Sequence, residues 1–180
     1  MVGNPGGEPR PRGPAHPRPR GPAPAPQRVS LYHRAVPPGL PPPVRLPERI
    51  RAFLERPHVA SVGTTGADGT PHQAIAWYRL ERDGRILLNS RSPRRWPADL
   101  LRDGRVSLAV LDGADPMRWV GMAGVVETVI DDVEAARDDI CALAVRYDDA
   151  DPATLAAFRT QPRISFRVRI TAAHDHLGDA

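Results

Sequence analysis

Apolar and polar positions trade places in short runs between residues 58 and 91, and the runs are broken by turns that contain glycine. Alternation of period two marks strands with one buried face. Extended runs bounded by such turns predict strands over 58–65 (HVASVGTT), 71–80 (PHQAIAWYRL) and 85–90 (RILLNS), in meander order. The turns GADGT and ERDG carry Asp-Gly between extended runs, a hairpin signal. A fourth strand is expected over 104–113 and a fifth over 117–129, where Gly121 and Gly124 suggest a bulge or a close backbone approach. A sixth, 163–171, turns Ile164, Phe166, Val168 and Ile170 one way and Arg163, Ser165, Arg167 and Arg169 the other.

Helical spacing fills the gaps. Ile50, Phe53 and Leu54 recur along 46–57 until Pro57 stops the helix. A short helix is expected over 97–103. Residues 131–147 carry Val133, Ala136, Ile140, Leu143, Ala144 and Tyr147 on one stripe, and Asp151 caps a helix over 151–159 with Pro152 in its first turn. The expected fold is mainly β with helices: six antiparallel strands in a small barrel with packed helices. Tight turns between consecutive strands exclude a doubly wound parallel sheet.

Composition divides the chain in two. Fifteen of the 22 prolines fall within residues 1–47, together with seven arginines against one acid, Glu8. Residues 48–180 hold 18 arginines against 20 acids, so the net charge of +4 belongs to the amino-terminal segment and not to the folded part. High overall pI therefore does not mark a nucleic-acid-binding domain. The segment 1–47 is expected to be a disordered Pro/Arg-rich tail that favours polyproline II and makes at most weak contacts with nucleic acid, anionic lipid or a proline-reading module. A second reading is an over-long translation start. The domain is expected over 48–180. No run has the length to span a bilayer and no apolar stretch follows the tail's arginines, so a cytoplasmic protein is expected.

The lone cysteine, Cys141, lies in an apolar helical pattern and reads as core. His72 reads as a surface residue. His174 and His176 form an H-D-H triplet with no assignable third ligand, so no metal site is expected. The chain has no lysine, and arginine supplies every fixed side-chain cation. Arg91, Arg94, Arg95, Arg102 and Arg105 crowd the stretch LLNSRSPRRWPADLLRDGRV, where a strand gives way to a short helix. That stretch is either a solvated bend or a socket for an anion. The guanidinium is a planar fork suited to a phosphoryl group, the helix start adds free N–H groups, and Pro93 and Pro97 restrict the path.

The ordered run PHQAIAWYRLERDGRILLNS…PRRWPADLLRDGRVSLAV, over roughly residues 48–172, resembles the pyridoxamine 5′-phosphate oxidase-like split barrels. It is most similar to the actinobacterial branch that uses the deazaflavin coenzyme F-420. The resemblance implies a homodimeric six-stranded split β-barrel with a flavin-type cofactor at the dimer interface. It places the cofactor phosphate at Ser90, Arg94, Arg95 and Trp96, with Asn89, Arg91 and Ser92 nearby. It sets the backbone of Gln73–Trp77, including Ala76 and Trp77, beside the ring. The strands of Trp77 and Trp119 border the ring in the family, while each tryptophan taken alone reads first as barrel core or dimer interface. A departure stands at Trp96, where many relatives carry a phosphate-binding lysine. His174 keeps a modest cofactor-side role open.

The implied function is an oxidoreductase that uses bound F-420 for hydride transfer to a small organic substrate, with no catalytic side chain assignable. The alternatives are an FMN-dependent oxidoreductase of the same fold and a non-catalytic module that carries F-420 or flavin. A further reading makes the tail the working part and the barrel its dimerising platform.

Overall fold

Seven antiparallel strands form one sheet in the computed structural model, which describes residues 42–178. In chain order the elements are α1 (Glu48–Leu54), β1 (Ala60–Thr65), β2 (Pro71–Ala76), β3 (Tyr78–Leu80), β4 (Ile86–Arg91) and α2 (Arg95–Arg102). There follow β5 (Arg105–Leu111), β6 (Trp119–Ile130), α3 (Val133–Asp148), α4 (Pro152–Arg159) and β7 (Arg163–His176). The expected count of six is corrected by one break: the predicted second strand divides at Trp77 into β2 and β3.

The break sets the architecture. The sheet order is β2-β1-β5-β6-β7-β4-β3, so β2 and β3 lie at its opposite ends. Only Trp77 separates them along the chain, and the sheet must curl until its two ends meet there. One continuous stretch therefore pairs first with β1 (Ala60 opposite Ala76) and then with β4 (Tyr78 opposite Leu88). The meander expectation survives in this divided form.

Inside the curl, Ile50, Phe53 and Leu54 of α1 pack with Val62, Tyr78, Leu88, Val110 and Phe166. Tyr78 is fully buried and its hydroxyl donates to the Leu54 carbonyl at 3.0 Å, which satisfies the one polar atom this ring brings into the core. A second cluster joins α3 to α4 through Ile140, Cys141, Leu143, Leu155 and Phe158. Cys141 is buried there as a small hydrophobe. Asp132 and Asp151 cap α3 and α4, accepting from the Ala135 and Thr154 amides at 2.9 and 2.7 Å.

Gly124 sits at the expected bulge, where the β6–β7 register slips past Thr171. A Cβ at Gly124 would lie 2.6 Å from Val168 Cγ1 and 2.8 Å from the Arg169 carbonyl, so only glycine fits. β7 runs on to His176, beyond the predicted end at 171, because β6 offers it a partner as far as Trp119. Val44 donates to the Ile170 carbonyl at 3.0 Å and Leu46 is buried, so these two residues pack with the domain. Of the tail expected to be disordered over 1–47, residues 1–41 lie outside the described residues. Among the described residues, no helix is long and apolar enough to cross a membrane.

Candidate functional site

β4 outlasts its partner on one side. Its pairing with β3 ends at Leu88, while its pairing with β7 continues to Arg91 opposite Arg163. Beyond Leu88 the chain that would have flanked β4 has crossed at Trp77 to join β1 as β2. A cavity of about 260 Å³ opens in this splay. Ile75, Ala76 and Trp77 line one lip and Asn89 and Ser90 the other, with Arg94 and Trp96 entering from the start of α2. Ile140, Leu143 and Phe158 of the helical layer and Arg163 of β7 complete the wall.

Tyr147, from the last turn of α3, holds the splay open. Its ring stacks on Trp77 with centroids 5.3 Å apart and planes 12° apart. Its hydroxyl accepts the Tyr78 amide at 3.3 Å and lies 2.6 Å from the His58 carbonyl and 3.0 Å from that of Tyr78. Backbone groups that lose their ladder partners at the break are thereby satisfied by a side chain, as buried polar groups require.

Six of the seven residues marked from sequence, Ala76, Trp77, Asn89, Ser90, Arg94 and Trp96, line this cavity. Arg95 does not. α2 begins at Arg95, not at 97, with Arg94 as its cap residue in extended conformation. The first helical residue then turns away from its predecessor, and the Arg95 guanidinium lies beside Gly66, where the hydrogen bonds from Thr70 hold the Asp68 carboxyl below its usual range and the Arg95 charge adds a smaller pull in the same direction. Trp96 is only 7% exposed and tilts against Phe166 at 5.9 Å, so it serves as wall and core. Asn89 has both amide hydrogens engaged, by the Ala136 carbonyl at 2.8 Å and Ser165 Oγ at 2.9 Å. Ser90 is the contrary case: it is 3% exposed and its hydroxyl has no hydrogen-bond partner among the described residues.

Arg163 was missed. Alternation in the last strand put it with Arg167 and Arg169 on a polar outer face. Here α4 and the loop before β7 cover that end of the strand, leaving Arg163 at 9% exposure with its guanidinium 5.0 Å above the Phe158 ring. It donates to Asn89 Oδ1 at 3.3 Å and to Gln161 Oε1, and its Nε has no partner. Burial, then the neighbouring charges of Arg91 and Arg94, push its pKa down to about 10. The available signal was the short PR step after α4, which starts the strand beneath that helix.

A larger hollow, about 490 Å³, lies on the outer face of the sheet over Gly63, Gln73, Ser107, Ala123 and Thr171. The arginine at its edge, Arg105, is already paired with Asp103 at 2.7 Å. His72 is not a free surface residue: its Nδ1 lies 3.2 Å from Asp99 Oδ2, and Asp99 also accepts from Thr64 at 3.0 Å and Arg102 at 3.1 Å. Burial raises the Asp99 carboxyl, but those hydrogen bonds outweigh it and hold the pKa below the usual value. His174 and His176 flank Trp119, with His176 stacked on it at 4.4 Å. Among the described residues no three side chains gather to hold a metal ion.

Comparison with known proteins agrees with this architecture. A family model described as pyridoxamine 5′-phosphate oxidase matches residues 46–176. An F-420H(2)-dependent biliverdin reductase of Mycobacterium tuberculosis is 31% identical over 111 residues, 60% of this chain and 77% of that protein. Among solved structures, an F-420 reductase superposes with a TM-score of 0.61 at 26% identity, covering 72% of this chain and 98% of its own. The haem storage protein HutZ from Vibrio cholerae, at 16% identity and a TM-score of 0.58 over 75% of this chain and 98% of that one, shares the fold.

Proposed function

The chain belongs to the pyridoxamine 5′-phosphate oxidase family, and we propose that within it the protein is an oxidoreductase that uses bound coenzyme F-420 to reduce a small organic substrate. The observation that carries the reading is the cavity between β2 and β4, where the buried Ser90 hydroxyl and Arg163 Nε have no hydrogen-bond partner among the described residues. Buried polar groups are rarely left unpaired and each calls for an explanation; two of the four among the described residues, Ser90 Oγ and Arg163 Nε, belong to residues that line this one cavity. Similarity to F-420-dependent reductases supports a deazaflavin as that partner, with FMN, the cofactor type of the wider family, as the alternative.

The donor set fits an anionic handle. Arg94 reaches the cavity from the cap position of α2, beside the unbonded amides of the first helical turn. Each charge-assisted hydrogen bond contributes about 1.5–3 kcal/mol. Three give about 4.5–9 kcal/mol, and the upper end of that range reaches the roughly 8 kcal/mol of micromolar binding. Trp77 and Trp96 wall the cavity and exclude water, and the stack on Tyr147 keeps the Trp77 ring from folding inward. F-420 supplies the hydride when bound. The protein orients and dehydrates the site, which accounts for the lack of an acid–base pair in the cavity.

We place a second copy of the chain against the outer sheet face, where Gly63, Ser107 and Ala123 present small side chains around the 490 Å³ hollow, and light scattering of the purified protein checks it. Titration of F-420 and of FMN, followed by turnover of reduced F-420 against conjugated acceptors, tests the function. Micromolar F-420 binding with turnover is expected. Binding without turnover favours the carrier reading, and failure of both cofactors to bind refutes the proposal.

A further inference from the structure

We propose that α4 is a lid on the β2–β4 cavity, hinged at residues 149–151 and at Thr160, and that the structure holds it closed; the proposal rests on reading that cavity as the cofactor's and says how a ligand enters it. The first ground is enclosure. The two cavity atoms that lack partners, Ser90 Oγ and Arg163 Nε, are shut off from solvent. Phe158 of α4 lies over the Arg163 guanidinium at 5.0 Å and lines the same cavity. A ligand meets those atoms only after a wall has moved, and this wall stands directly over one of them.

The second ground is how unevenly the walls are fastened. β2 is laddered to β1, and β4 to β7. α2 buries Trp96 and Leu100, and α3 buries Ile140 and Leu143. α4 buries no residue. It rests on α3 through the half-buried Leu155 and Phe158. Its Arg159 meets Asp138 at 2.8 Å in an ion pair exposed at both ends, which contributes little. Elements with few buried contacts open at much lower free energy than the whole domain. The ends of α4 suit a swing. Asp149, with φ 47°, is the one non-glycine residue at positive φ among the described residues, and hinges are a few positions at element ends that absorb backbone rotation. Beyond α4, the Gln161 carbonyl accepts from Arg137 and the Pro162 carbonyl from the Ser92 amide, each at 3.0 Å. The swing therefore stops at Thr160, and Arg163 stays with the sheet when α4 lifts.

The chain's single cysteine serves as the probe. Cys141 is buried beneath α4, with its Sγ 3.8 Å from the Leu155 carbonyl, so lifting α4 exposes the thiol. Cofactor-free full-length protein is mixed with Ellman's reagent across a range of urea, and the labelling rate is compared with the rate that global unfolding permits. Labelling at least tenfold faster than that, with a shallow dependence on urea, is expected. Phe158→Ala is expected to label at least tenfold faster than wild type. Arg159→Gln is expected to label about threefold faster at an unchanged urea midpoint, and it decides the matter if the alanine variant does not fold. Hydrogen exchange should find the α4 amides opening with the thiol while those of α2 and α3 stay protected. Labelling that occurs only with the steep urea dependence of global unfolding, or folded variants that label no faster than wild type, overturns the proposal. F-420 and FMN added to the same proteins separate the two readings. A cofactor that binds is expected to slow labelling at least tenfold, and one that binds and leaves it unchanged sinks only this inference. Fast labelling of Cys141 with no cofactor binding sinks only the proposed function.

Discussion

Substituting Tyr147 by phenylalanine removes one oxygen and leaves the stack on Trp77 in place, so it isolates the hydroxyl's part in holding the strand break. That oxygen accepts the Tyr78 amide at 3.3 Å and donates its single proton to one of two carbonyls, His58 at 2.6 Å or Tyr78 at 3.0 Å. Two hydrogen bonds are lost, each with a net value of about 0.5–1.5 kcal/mol. The expected destabilisation is therefore about 1–3 kcal/mol, toward the lower end where water reaches the half-buried site. For a domain of this size 2 kcal/mol corresponds to roughly 5–10 °C in Tm. Urea unfolding should show a lower midpoint with an unchanged slope. Tyr147→Leu, which also forfeits the stack, should cost about 0.5–1.5 kcal/mol more. A Tyr147→Phe midpoint within 0.5 kcal/mol of wild type would show that the break at Trp77 is held by something else, and the account of how the cavity is kept open would fall.

Other outcomes are expected from the same geometry. Gly124→Ala should cost about 1–3 kcal/mol by chemical denaturation, because its Cβ meets Val168 and the Arg169 carbonyl well inside contact distance. Arg94→Gln should weaken F-420 binding at least tenfold in a fluorescence titration while leaving Tm within about 2 °C, since among the described residues its side chain makes no hydrogen bond or ion pair that supports the fold. Trp96→Lys should destabilise by several kcal/mol in a urea melt, because the side chain is buried against Phe166. The Asp99 pKa is held below its usual value of 3.8, so the carboxylate's contribution is present above that pH and lost as the pH falls through the folded pKa. Asp99→Asn should accordingly flatten the acid limb of stability below about pH 4, measured as the urea midpoint against pH.

Much of this fold can be read in the residues because local signals agree with tertiary structure. Alternation marks β1 and β5, a short apolar run marks β4, the Asp-Gly turns fix the hairpins, and Asp132 and Asp151 cap their helices. The break at Trp77 is not legible, since the run QAIAWYRL is apolar from Ala74 to Tyr78 with no turn residue in it, and only the curl of the whole sheet decides where it changes partner. Seven residues were marked through family resemblance, and all of them except Arg95 line the cavity. Arg95 lies elsewhere because α2 starts two residues before the expected 97, which turns its side chain to another face. Arg163 escaped for a different reason: period two tells which side of a strand a residue takes, and not whether a helix later covers that side.

The central claim is that the splay between β2 and β4 receives the charged end of a redox cofactor. A crystal structure of the protein soaked with F-420 tests it most directly. The account predicts ligand density in that splay, with phosphate oxygens in hydrogen-bond reach of Arg94 and Arg163. Density confined to the outer-face hollow over Gly63 and Ser107, with the splay empty, would contradict it.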